Sequence, residues 1–151
     1  MYFDRYGIKK DVCVSNGYKI FFGTDWLDDF EYEAFDKLFQ GKTARLALKN
    51  SQSETTTLSS FADAVRLESQ LVDVDKLILA ESSILYISDD RDIFLFAAQE
   101  ADIADLIKDI TEAGGKTYST LVKSAVVGPK KEVKEFFDYW APLNFELEAQ
   151  E

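Results

Sequence analysis

The chain has 151 residues, with 28 Asp and Glu against 17 Lys and Arg, no His and one Cys, for a formal charge of −11 at pH 7. That length bounds it to a single domain, 1–151, and 12 Phe, 7 Tyr and 2 Trp exclude a disordered acidic tail, because so much apolar surface must collapse into a core. So negative a molecule repels phosphate backbones and anionic lipid, which argues against nucleic acid or a membrane as partner and leaves a basic protein as the natural complement.

Met1 to Gly7 lacks the basic start and apolar run of a secretory signal. No apolar stretch approaches the roughly 20 residues that cross a bilayer. Cys13 alone cannot close an internal disulfide, which fits a reducing, cytoplasmic setting.

In chain order, Asp11–Val14 and Tyr18–Phe22 are rich in β-branched and aromatic residues and flank Ser15-Asn16-Gly17, so a hairpin is expected there. From Trp26 to Gln40, Leu27, Phe30, Ala34 and Leu38 follow helical spacing, with Phe35 and Phe39 beside them and Gly41 as the stop. A strand is expected over Thr43–Lys49, then a loop or ragged edge strand from Asn50 to Thr57. Phe61, Ala64, Val65, Glu68 and Leu71 next follow a helical period. Lys76–Ala80 reads as strand, and Ile84–Ser88 and Ile93–Ala97 as a second hairpin about Asp89-Asp90-Arg91. Ile103, Leu106, Ile107 and Ile110 form the stripe of another helix, closed by Gly114-Gly115. Lys116–Val127 is Thr- and Val-rich and strand-like, Gly128-Pro129 breaks the chain, and Lys130–Trp140 is a helix with Val133, Phe136, Phe137 and Trp140 inward. The remaining segment, 143–151, reads as a loose acidic tail.

Lys19–Asn50 and Asp92–Ser124 share one order of parts: an Ile-Phe strand, an acidic amphipathic helix, then Gly-Lys-Thr opening a strand. With their hairpins these become two ββαβ-like units, a pseudo-repeat of 11–50 and 84–127. The expected fold is α+β, a mainly antiparallel sheet with helices packed on it and a helix near the C-terminus.

Motifs for catalysis are weak. Gly41-Lys42-Thr43 and Gly115-Lys116-Thr117 lack the upstream Gly of a phosphate loop and lead from helix to strand, the reverse of the required order. Asp89, Asp90 and Asp92 gather carboxylates at a turn, but lack the alternation, central Gly and distal Glu of a calcium loop. Without His the usual general base is missing, no Gly-x-Ser-x-Gly elbow occurs, and Cys13 between Val12 and Val14 reads as a core residue.

The informative signal is where the charge lies. Asp25, Asp28, Asp29, Glu31, Glu33 and Asp36 face only Lys37 in one window; Asp89, Asp90, Asp92, Glu100, Asp102, Asp105, Asp109 and Glu112 face Arg91 and Lys108 in the other. The rest of the chain is balanced. On the matching helices Asp25, Asp29, Glu33, Asp36 and Asp102, Asp105, Asp109, Glu112 recur at steps of three and four, forming outward ridges. Like charges so spaced repel by about a few tenths of a kcal/mol per pair, which stability alone does not favour.

The expected function is therefore a non-enzymatic acidic binding protein that neutralises a basic partner: a bacterial immunity protein blocking the active site of a cationic, nuclease-type toxin. Its contacts would be Asp25, Trp26, Asp28, Asp29, Tyr32, Glu33, Asp36, Asp89, Asp90, Asp92, Asp102, Asp105, Asp109 and Glu112, with no cofactor or metal. The alternative is a small carboxylate-using or metal-dependent enzyme domain built on Asp89, Asp90 and Asp92. A nucleic-acid module, favoured only by Lys116, Lys123, Lys130, Lys131 and Lys134, is opposed by the overall charge.

Overall fold

The computed structural model describes residues 3–49, 51–71, 73–118 and 131–145, with backbone alone for 51–54. A short two-stranded ribbon, β1 (Phe3–Asp4) and β2 (Gly7–Ile8), precedes α1 (Lys10–Ser15). Then come β3 (Lys19–Thr24), α2 (Asp29–Phe39), β4 (Ala44–Leu48), β5 (Ser51–Leu58), α3 (Phe61–Gln70), β6 (Lys76–Ala80), β7 (Ser83–Ile87), β8 (Ile93–Ala98) and α4 (Glu100–Glu112). The last described elements are α5 (Lys131–Trp140) and a 3-10 turn, Ala141–Leu143. Six strands form one antiparallel sheet in the order β3-β8-β7-β6-β4-β5, so the α+β expectation holds.

Helices cover both faces of this sheet, which explains why β7 and β8 are buried along their whole length instead of alternating apolar with polar. Phe21, Leu46, Ile78, Leu85, Phe94 and Phe96 turn to one face, where Phe35 and Phe39 of α2, Phe61 of α3, and Ile103, Leu106 and Ile110 of α4 meet them. Ile20, Phe22, Leu77, Tyr86 and Leu95 turn to the other face, against Ile8, Cys13, Tyr118, Phe136 and Trp140. The two sheet edges differ. Beside β3, Ile20 makes a parallel bridge with Asn144. At the other edge β5 carries a register shift opposite Ala47 and Leu48, a bulge that blunts the ladder.

Four expectations need correction. The first hairpin does not form: Asp11–Val14 lies in α1, with Cys13 buried and Val14 61% exposed. Asn16 and Gly17 close that helix rather than turn a ribbon, since Gly17 at φ +67° sends its N–H to the Val14 carbonyl at 3.1 Å and Tyr18 N–H reaches Cys13 O at 2.9 Å. A Gly with positive φ serves a helix end and a hairpin equally well, and the sheet already supplies β3 with β8 as neighbour. Second, the strand expected from Lys116 is absent where it can be seen: Thr117 has no regular structure and Tyr118 is helical, while 119–130 fall outside the described residues. Third, Phe30 leaves the apolar face of α2 and is 41% exposed. Fourth, the chain stays docked past Leu143, because Asn144 is buried against Ile20; 146–151 fall outside the described residues.

Of the parts shared by the two halves of the pseudo-repeat, the first strand and the helix meet, while the second Gly-Lys-Thr opens no strand over 116–118. β3 and β8 pair along their full length, and α2 and α4, which follow them, pack together on the same face. At Gly23 the Phe94 ring lies where a side chain would start, 2.1 Å from an ideal Cβ. Gly23→Ala must push this fully buried ring aside and is expected to cost about 1–3 kcal/mol. Urea unfolding should show a lower midpoint with an unchanged slope.

Candidate functional site

The first acidic segment is shaped by a capping box. The Asp28 carboxylate accepts the Glu31 N–H at 2.7 Å while Glu31 Oε1 accepts the Asp28 N–H at 3.1 Å, which fixes where α2 begins. Ala34, Phe35 and Phe39 then point inward, leaving Asp29, Glu33 and Asp36 exposed. On α4, Ile103, Leu106 and Ile110 point inward, Asp105 and Glu112 are exposed, and Asp102 and Asp109 are half-buried. A groove between these helices is floored by Ala34, Leu38 and Leu106 and crossed by Lys37, whose Nζ lies 3.4 Å from Asp109 Oδ2. Phe30 and Ile110 both lie against Gly115, just past the end of α4.

The second acidic segment docks on the first. Beyond the last β3–β8 pair, Asp25 N–H donates to Asp92 O at 3.0 Å and Trp26 N–H to Arg91 O at 2.9 Å. Asp25 and Arg91 both take left-handed backbone, φ +55° and +63°, a conformation that Asp adopts more readily than most residues and that is costly for Arg, held here by surrounding bonds. The result is one corner bearing Asp25, Asp28, Asp89, Asp90 and Asp92.

These carboxylates shape the turn itself. Asp90 Oδ1 accepts the Ser88 hydroxyl at 2.9 Å and the Asp92 N–H at 3.0 Å. Partial burial pushes its acid up, but those hydrogen bonds outweigh it and hold the group below the usual carboxylate range. Asp75 accepts the Tyr86 hydroxyl and the Asp89 N–H, both at 2.9 Å, and lies 3.7 Å from Lys49. Beside the turn a cleft of about 230 Å³ runs between Tyr86, Ile93, Val133 and Phe136, rimmed by Asp89, Asp90, Asp92 and Glu132. Among the described residues no three Asp, Glu or Cys side chains are placed to hold a metal ion. Cys13 is buried, and desolvation pushes its thiol up to about 12, the character of a core residue.

Trp26 is not a surface anchor. It is 4% exposed, its ring 4.9 Å from that of Phe94, and its indole N–H donates to Glu68 Oε1 at 3.0 Å. Tyr32 is half-buried with its ring 5.7 Å from Phe61. The exposed aromatic beside the ridges is Phe30. Sequence reasoning also missed the buried carboxylate that organises the corner: Glu68, at 0% exposure, takes Trp26 and Arg91 Nη2 (2.7 Å) on Oε1 and Lys76 Nζ (3.1 Å) on Oε2. Its signal was visible, for Glu68 stands at an apolar position of the helical period.

No protein-family model matches the chain, and neither the curated proteins nor the solved structures contain a significant match.

Glu31 gives the corner a pH dependence. Burial pushes its carboxyl up to about 8; the Asp28 N–H opposes this and the charges of Asp28 and Asp25 add to it. The folded chain thus holds a proton that the unfolded chain releases near pH 4.5, so stability is highest below that point and falls as pH rises toward 8. Glu31→Gln keeps the acceptor oxygen and removes the charge. The variant should match the parent near pH 5 and exceed it by a few kcal/mol near pH 9, read by denaturant unfolding across pH.

Proposed function

We propose that the chain is a non-enzymatic binding protein whose acidic surface neutralises a basic protein partner, in the manner of a bacterial immunity protein that blocks the active site of a cationic, nuclease-type toxin. The observation that carries this reading is the convergence of two acidic segments remote in sequence, side by side at the Asp25–Asp92 backbone bond and again where α2 packs on α4. Asp29, Glu33, Asp36, Asp105 and Glu112 make no ion pair among the described residues, so their charge is available to a cation from outside.

Such a surface acts in two ways. Its field speeds the encounter with a basic protein and aligns it, an effect that salt weakens over a Debye length of about 8 Å at physiological ionic strength. An exposed aromatic ring among carboxylates then holds the complex by apolar burial and by its attraction for Lys or Arg, which assigns Phe30 the anchoring part. A partner's groove built for nucleic-acid phosphate would be filled and its field cancelled.

The test is kinetic. With a basic nuclease domain captured from the source cell, association should slow about tenfold or more from low to physiological salt, and Asp29→Asn with Glu33→Gln and Asp36→Asn should slow it in the same way. Phe30→Ala should speed dissociation while leaving association nearly unchanged. A tight complex whose association ignores both salt and the three neutralising substitutions would refute the reading.

A further inference from the structure

Four side chains far apart in sequence meet beneath the acidic corner. Glu68, on α3, and Lys76, at the start of β6, are fully buried, and the Lys76 ammonium is satisfied by the Glu68 carboxylate at 3.1 Å and by the Glu68 and Leu71 carbonyls at 3.1 and 3.0 Å. That pair is already neutral, and Trp26 adds a second donor to the carboxylate. Arg91 is therefore a surplus cation. It grows from the β7–β8 turn between Asp90 and Asp92, with Asp89 one residue further, yet among the described residues its ion pair is with the interior Glu68 at 2.7 Å. Two physical effects follow. The guanidinium pulls the turn onto the β3–α2 corner, where Arg91 O and Asp92 O take the N–H groups of Trp26 and Asp25. It also engages the head group with Glu68, whereas an Arg freed from that bond would turn to the carboxylates that flank it and weaken their field.

We propose that Arg91 and Glu68 form a latch: an ion pair between a half-buried arginine and a fully buried carboxylate that docks the turn of one acidic segment on the start of the other and commits the only cation of that turn to the interior carboxylate. Glu68 and Arg91 are thus positioning residues for the corner. The value of the corner to a partner rests on the binding reading above; its placement does not.

The experiment is residue-resolved amide exchange on the full chain, comparing the parent with Arg91→Met, which keeps an apolar stem and lacks the head group, and with Arg91→Lys, which restores a cation. The latch predicts that the Asp25 and Trp26 amides exchange about tenfold or more faster in Arg91→Met, as expected for loss of a charge-assisted hydrogen bond, with Ile103 and Leu106 in α4 unchanged and Arg91→Lys in between. Unchanged protection at Asp25 and Trp26 would overturn it. So would a uniform loss through β8 and α4, which would mark Arg91 as a contributor to global stability only. The readout needs no partner. A corner that loosens as stated in a chain that binds no basic protein would leave the latch standing and remove the binding reading; an unaltered corner in a chain that does bind would do the reverse.

Discussion

The carboxylate of Glu68 is the point on which the arrangement turns. It sits out of water with an indole N–H, an ammonium and a guanidinium around it, and those donors come from the corner before α2, from β6 and from the β7–β8 turn. A charge so placed is tolerable only while its partners stay. Removing one partner of a buried pair costs about 3–5 kcal/mol, whereas an exposed pair such as Lys37 with Asp109 contributes about 0–1 kcal/mol. The interior network thus sets the geometry, and the surface pairs adjust it.

That network also explains how so acidic a molecule keeps its charge ordered. Repulsion would drive the Asp89–Asp92 turn away from Asp25 and Asp28, and backbone hydrogen bonds near the surface are weak opposition. The Arg91 side chain reaches inward to Glu68 and binds the turn from the protein side, which holds the turn's carboxylates close to Asp25 and Asp28. Asp90 is meanwhile stabilised as an anion by Ser88 and by the Asp92 N–H. Glu31 is the counterexample, an acid whose burial near Asp28 and Asp25 favours the protonated form.

Where the sequence carried a strong period, it could be read. The stripes of α3, α4 and α5 and the runs of β6, β7 and β8 are found within a residue or two of expectation, because each buries a continuous apolar face, whereas α2 begins at Asp29, three residues after the expected Trp26. Asp11–Val14 could not be read, since a six-residue segment has too few positions to separate a period of two from one of 3.6, and Asn-Gly ends either element. The acidic ridges were legible as spacing; their junction was not, because it depends on β3 lying next to β8. The same limit exchanged Trp26 and Phe30. Only tertiary packing turns the indole down onto Glu68 and leaves the phenyl ring exposed beside Gly115. Glu68 itself was legible in hindsight of one rule, that an acid at a core position needs a partner, though no local pattern names Lys76 or Arg91 as that partner.

The strand order has a consequence for how the molecule comes into being. β3 is made early, but its neighbour in the sheet is β8, and Lys19 waits for Ala98 as Thr24 waits for Ile93. β4 likewise needs β6, and Trp26 needs Glu68. A nascent chain that has left the ribosome as far as β5 therefore holds Ile20, Phe21 and Phe22 without a sheet to join. Such long-range closure slows folding and lengthens the interval in which apolar strands stand bare. The carboxylates of α2, which follow β3 at once, give that unfinished chain a strongly anionic segment beside its stickiest one, keeping neighbouring copies apart until β8 arrives.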